Sequence, residues 1–159
     1  MKSNKIVLLD IDDTLFNTEK LIHSSFFVYE LYKEVITALS ELSTIATLGV
    51  FSQGEIAFQR KKLQETNIEQ YFSEDHIHIM EFKLEMMQDI LERYHNQGEI
   101  FVVDDRLENL HMAKKSAPFI FTIWMKRGRY SNIQEQKANF TPDATVTNLY
   151  DVISIISSL

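Results

Sequence analysis

The sequence predicts an α/β protein, a three-layer α/β/α sandwich around a central parallel, Rossmann-like sheet. Short apolar runs alternate along the chain with longer amphipathic segments, the pattern of strands joined by crossover helices. Nor does a Pro-rich, Ser-rich or charge-block segment, or a repeat of fixed period, divide the 159 residues, so one domain over residues 1–159 is expected.

Four runs read as buried strands because they are short and mostly β-branched or aromatic: Ile6 to Ile11, Ile45 to Phe51, Ile100 to Val103 and Phe119 to Met125. Asp75 to Met80 is a candidate short strand. Between Thr18 and Leu42 the residues Val28, Leu31, Val35, Leu39 and Leu42 recur at spacings of three and four and predict one helix with a single apolar face. Shorter helices are expected over Glu55 to Thr66, Lys83 to His95, Leu107 to Ser116 and Leu149 to Ile156. In parallel sheets of this kind ligands bind beyond the carboxyl ends of the strands.

Composition narrows the function. With 45% hydrophobic and 25% charged residues the chain has enough apolar material for a core. It contains no cysteine, so thiolate metal sites and disulfides are excluded. Lys2 and Lys5 precede only a short apolar run that Asp10 interrupts, so no signal peptide is expected, and no long apolar run predicts a membrane helix. The cytoplasm is the expected location. A net charge of −7 argues against nucleic acid or an anionic membrane as partner.

Three carboxylates crowd the end of the first strand in Asp10-Ile11-Asp12-Asp13-Thr14-Leu15. Like charges so close repel, which predicts a bound cation, although Asp12 or Asp13 could instead cap the following helix. The strand Phe101-Val102-Val103 leads into Asp104-Asp105, with Asn109 beyond, and two acidic strand ends suit a hard divalent ion such as magnesium. After the second strand, Ser52-Gln53-Gly54 offers a hydroxyl and a glycine before a helix N-terminus, which suits an oxyanion. Lys83 opens a helix candidate near a further strand end.

In this order the four segments resemble the haloacid dehalogenase-like superfamily, whose members show Asp-x-Asp-x-Thr, then Ser or Thr, then Lys, then paired acids. The resemblance runs from about Ile6 to Asn109. It implies a magnesium-dependent phosphohydrolase that cleaves a phosphate monoester, with Asp10 as the nucleophile that forms an aspartyl-phosphate and Asp12 as general acid and base. By the same resemblance Ser52, Gln53 and Lys83 bind the phosphoryl group, and Asp10, Asp12 through its backbone carbonyl, Asp104 and Asp105 hold Mg2+. Asp12 favours ester hydrolysis, since the dehalogenases of the superfamily lack an aspartate there and the ion-pumping relatives carry threonine. The segments Thr14 to Ser52 and Ser52 to Lys83 leave little room for a cap domain. Such an open site takes a phosphorylated small molecule or macromolecule, or borrows a second copy of the chain as a lid. Two positions depart from the pattern: Leu84 follows Lys83 where many relatives have proline, and the fourth motif reads Asp-Asp with Asn109.

Other features are open to plainer readings. His76 and His78 alternate with Ile77 and Ile79, which suggests either a metal pair or a solvated strand face. Lys126-Arg127-Gly128-Arg129-Tyr130 forms a basic, aromatic loop that is either a leaving-group contact or an ordinary exposed loop. Trp124 is expected in the core. The rival function is a non-catalytic phosphate- or metal-binding interaction protein; a receiver domain is disfavoured because no phosphate-accepting aspartate follows the third strand.

Overall fold

The computed structural model describes residues 4–25, 28–133 and 139–159. Lys2 lies outside these, as do Phe26 and Phe27 within the long helix expected from Thr18. Six strands form one sheet in the order β3-β2-β1-β4-β5-β6: β1 (Lys5–Leu9), β2 (Thr47–Gln53), β3 (Phe72–Met80), β4 (Glu99–Asp104), β5 (Phe121–Met125) and β6 (Ala144–Val146). Every pairing is parallel. The helices are α1 (Thr18–His23), α2 (Val35–Ile45), α3 (Ile56–Glu65), α4 (Lys83–Glu92), α5 (Leu107–Ser116) and α6 (Leu149–Ser158).

Alternation along the central strands sorts the core into two layers. Val7, Leu9, Phe101 and Val103 face one cluster with residues of α2 and α6, while Ile6, Leu8, Ile100 and Val102 face another with residues of α4 and α5. Carried one step further, the same alternation points Asp10 and Asp104 to the side of α4 and α5, where Lys83 begins. The strand order reverses direction at β1, so the carboxyl ends of β1 and β4 form the crevice in which such sheets hold ligands.

Two expectations are corrected. The helix over Thr18 to Leu42 is two helices: Asn17 caps α1, Ser25 takes a left-handed φ of 54°, and the chain then returns to β1's exit. There the Asn17 N–H donates to the Glu30 carbonyl at 2.8 Å and the Tyr32 N–H to the Leu15 carbonyl at 3.0 Å. Backbone pairing has overridden the helical spacing, and Val28, placed on the apolar face, is 50% exposed. Residues Thr47–Gln53 form β2 because Ile45 still belongs to α2. The short strand β6 carried no periodic signal; it is fixed by Asp143, whose Oδ2 accepts from the Thr122 N–H and hydroxyl, both at 2.8 Å, and from Lys114 at 2.9 Å. No cap domain is present among the described residues, and no described helix is long and apolar enough to cross a membrane.

Candidate active site

A cavity of about 350 Å³ opens at the carboxyl ends of β1, β2 and β4, lined by Asp10, Asp12, Asp13, Gln53, Gly54 and Asp105 on its floor side. Helix α1 contributes Thr18, Leu21 and Ile22, α3 contributes Phe58 and Lys62, and the opening of α5 and the loop after β5 bring Arg106, Asn109, Arg129 and Tyr130.

Asp10, Asp104 and Asp105 place one carboxylate oxygen each within 4.8 Å of one another, all buried. Burial pushes the Asp10 carboxyl up to about 7, helped by the charge of Asp104 and opposed by Lys83. Burial and the charges of Asp10 and Asp104 push Asp105 higher still, to about 11, and a side-chain hydrogen bond with Asp10 adds to the rise. Lys83 answers part of the negative charge: its ammonium donates to Asp104 at 2.5 Å and the Phe51 carbonyl at 2.6 Å, and reaches Asp10 at 3.5 Å. Burial works against this ammonium, but Asp10 and Asp104 outweigh it and hold its pKa above the ordinary value.

The two acids of the fourth motif are not equivalent. Both oxygens of Asp104 are engaged, by Lys83, by the Arg106 N–H at 2.8 Å and by the Asn109 amide at 3.2 and 3.0 Å. Asp105 instead lines the cavity beside Asp10, and its backbone carbonyl accepts from the Trp124 indole at 2.9 Å. Asn109 therefore orients Asp104. Trp124 is core, at 5% exposure. A divalent cation fits this donor set: paired carboxylates without a full complement of positive charge, one of them pushed up to about 11, are what such an ion relieves.

Sequence reasoning missed the partners of Asp12. Lys62, only 2% exposed, places its ammonium 2.5 Å from Asp12 Oδ1, and the Gln59 amide donates to Asp12 Oδ2 at 2.9 Å. The same amide nitrogen donates to the Ser52 hydroxyl at 3.2 Å and the Gln53 carbonyl at 3.1 Å. Gln59 and Lys62 stand three positions apart on α3, hence on one face. The available signal was that this face, apart from Leu63, holds polar residues where the helix should be apolar.

Asp13 is structural. At a φ of 58° it accepts at Oδ1 from the Thr18 hydroxyl at 2.6 Å and the Thr18 N–H at 3.2 Å, and so tethers the start of α1. Ser52 is fully buried under Gln59, while Gln53 and Gly54 reach the cavity. At the N-terminus of α3 the Glu55 carboxylate takes the N–H groups of Ala57 and Phe58 at 3.1 and 2.7 Å, and the Gly54 N–H donates to the Met80 carbonyl at 2.9 Å, so these three amides are engaged within the protein. The basic loop divides in two. Arg127 pairs with Glu34 at 2.5 Å and lies 3.7 Å from the centre of the Tyr32 ring, an anchor between the loop and the segment before α2. Arg129 and Tyr130 line the cavity. His76 and His78 form neither a metal pair nor a solvated face, since both imidazoles hydrogen-bond the Tyr94 hydroxyl, at 3.0 and 2.5 Å.

No protein-family model and no curated protein matches the sequence. Solved structures do. A haloacid dehalogenase-like hydrolase from Burkholderia xenovorans superimposes with a TM-score of 0.83 at 17% identity over 98% of both chains. An L-2-haloacid dehalogenase from Xanthobacter autotrophicus superimposes with 0.75 at 9% identity over the full length of both. A HAD hydrolase from Bacillus subtilis bound to magnesium gives 0.71 at 14% identity over 98% of this chain and 99% of the other.

Proposed function

We propose that this chain, which has the haloacid dehalogenase-like fold, is a magnesium-dependent phosphohydrolase that cleaves a phosphate monoester through an aspartyl-phosphate on Asp10. The observation that carries the reading is Asp12: it lines the same cavity as Asp10 two residues away, with both carboxylate oxygens held by Lys62 and Gln59. A displacement at carbon by Asp10 has no need for a second, positioned carboxylate on the leaving-group side. Ester hydrolysis needs one, to protonate the departing alcohol and then to take a proton from the water that opens the acyl phosphate.

The chain's own groups divide the remaining work. Asp10 supplies the attacking oxygen, and a cation held beside it would favour its ionised form. Magnesium, held by Asp10, Asp105 and the Asp12 carbonyl, would supply the positive charge that offsets the three non-bridging phosphoryl oxygens. Lys83 fixes Asp104 and Asp10 relative to each other, and Asp104 in turn holds the opening of α5, so Asp105 is set beside Asp10 by a buried network. Gln53 and Gly54 form the wall against which the phosphoryl group rests, with Ser52 behind them.

Phosphate release from an aryl phosphate, measured with and without magnesium for wild type, Asp10→Asn and Asp12→Asn, tests the proposal. Magnesium-dependent release abolished by the first substitution and cut at least a hundredfold by the second is expected. No release from any of several esters would shift the reading to a non-catalytic phosphate- or metal-binding protein on the same fold.

A further inference from the structure

Three cationic side chains line the cavity, and their partners differ. Lys62 is neutralised by Asp12. Among the described residues Arg106 and Arg129 make no ion pair with a carboxylate; each instead lies against the ring of Tyr130, the guanidinium carbons 4.8 and 5.2 Å from the same ring centre. The Nε of Arg106 is buried and has no hydrogen-bond partner. In a chain of net charge −7 two other arginines do meet carboxylates, Arg127 at Glu34 and Arg60 at Glu69 and Glu74. Leaving two guanidiniums unpaired around one ring is unfavourable, since the two like charges repel and a cation–π contact at such a site returns little. An anion between them would relieve it, and guanidinium groups match carboxylate and phosphate oxygens in pairs.

The cavity also has room. At about 350 Å³ it falls in the range of pockets that enclose small organic ligands, from roughly 300 Å³ upward, and Leu21, Ile22 and Phe58 give it an apolar side. We propose that Arg106, Arg129 and Tyr130 form a second anion site, so that the substrate is an organic phosphate monoester whose leaving group carries a further carboxylate or phosphate. This substrate class rests on the phosphohydrolase reading above; the anion site itself does not.

Three aryl esters of one skeleton test it: 3-carboxyphenyl phosphate, its methyl ester, and 1,3-phenylene bisphosphate. Wild type should show kcat/KM at least tenfold higher for the carboxylate or the bisphosphate than for the methyl ester, and the two charged arms tell carboxylate from phosphate. In Arg106→Gln and Arg129→Gln that preference should fall towards one; because the same substrates are compared across proteins, their intrinsic reactivities cancel. Arg129→Lys, a substitution at an exposed loop position, should keep part of it. Equal treatment of the three esters by wild type, or a preference that survives both glutamine variants, overturns the proposal. A parallel titration with non-hydrolysable ligands separates the two readings. In the presence of magnesium, phosphonoacetate should bind at least tenfold more tightly than methylphosphonate, with the difference lost in the glutamine variants. If no ester is hydrolysed while this difference stands, the phosphohydrolase reading fails and the anion site holds; if the two phosphonates bind alike, the anion site falls.

Discussion

Lys62→Met and Asp12→Ala remove opposite ends of one ion pair and should have unequal consequences. The ammonium of Lys62 is 2% exposed, whereas the side chain of Asp12 is 37% exposed. Removing Asp12 strands a buried charge, a change that costs about 3–5 kcal/mol when nothing else compensates. Here the rings of Phe58 and Phe16, 5.0 and 5.9 Å from the ammonium, soften the loss, so about 3 kcal/mol is expected. Removing Lys62 leaves Asp12 free to hydrate, and methionine fills the aliphatic volume, so the cost should stay near ~1 kcal/mol, as for pairs with a solvated partner. Urea unfolding with magnesium chelated reads the difference: about 2 kcal/mol at a slope of roughly 1–3 kcal/mol per molar separates the midpoints by about 1 M. Lys62→Met should nonetheless lose about ten- to a hundredfold in kcat while the fold persists, because Asp12 is no longer held at both oxygens. If Lys62→Met unfolds as readily as Asp12→Ala, or if it keeps full kcat, Lys62 is not a clamp on Asp12.

Magnesium binding should release a proton near neutral pH, because Asp10 is pushed up to about 7 and Asp105 to about 11 before the cation arrives. Affinity should therefore rise between pH 6 and 8, and calorimetry in two buffers of different ionisation enthalpy would show the release; identical heats refute it. In the metal-free protein the same raised carboxyls make stability highest below about pH 4, the unfolded value, and declining as pH climbs through 7. The histidine pair acts with the opposite sign. Burial and the neighbouring His76 push His78 down to about 4 from an ordinary 6.5, so its neutral form belongs to the folded state and stability is lost as pH falls through that window. The difference in melting temperature between wild type and His78→Gln, measured in the same buffers, isolates this contribution and should shift against wild type between pH 6.5 and 4; a difference that does not change with pH refutes it. Gly128→Ala should destabilise by about 1–3 kcal/mol, since its φ is +80° and an added Cβ would lie 2.4 Å from Asp13 Cβ and Cγ. A thermal melt indistinguishable from wild type would show that the loop gives way more easily than the packing suggests.

The sequence by itself determined the sheet and the acidic core of the site. Val7 to Leu9 and Ile100 to Val103 are apolar on both faces, which only a buried parallel strand satisfies, and a strand's carboxyl end is fixed by chain direction, so Asp10, Asp104 and Asp105 converge once β1 and β4 pair. Lys83 was legible for the same reason, since it stands at the exit of β3. The tertiary structure alone decided which acid does what. Asp104 and Asp105 are neighbours in the chain and differ only in direction: alternation turns the first into Lys83 and Asn109 and leaves the second on the cavity. The clamp on Asp12 spans fifty residues to Lys62, and the unpaired guanidiniums of Arg106 and Arg129 meet at a ring more than twenty residues from the first of them. A local pattern records what a residue prefers to do with its own neighbours. Which distant side chain closes on it depends on how helices and loops pack across the sheet, and no periodicity encodes that.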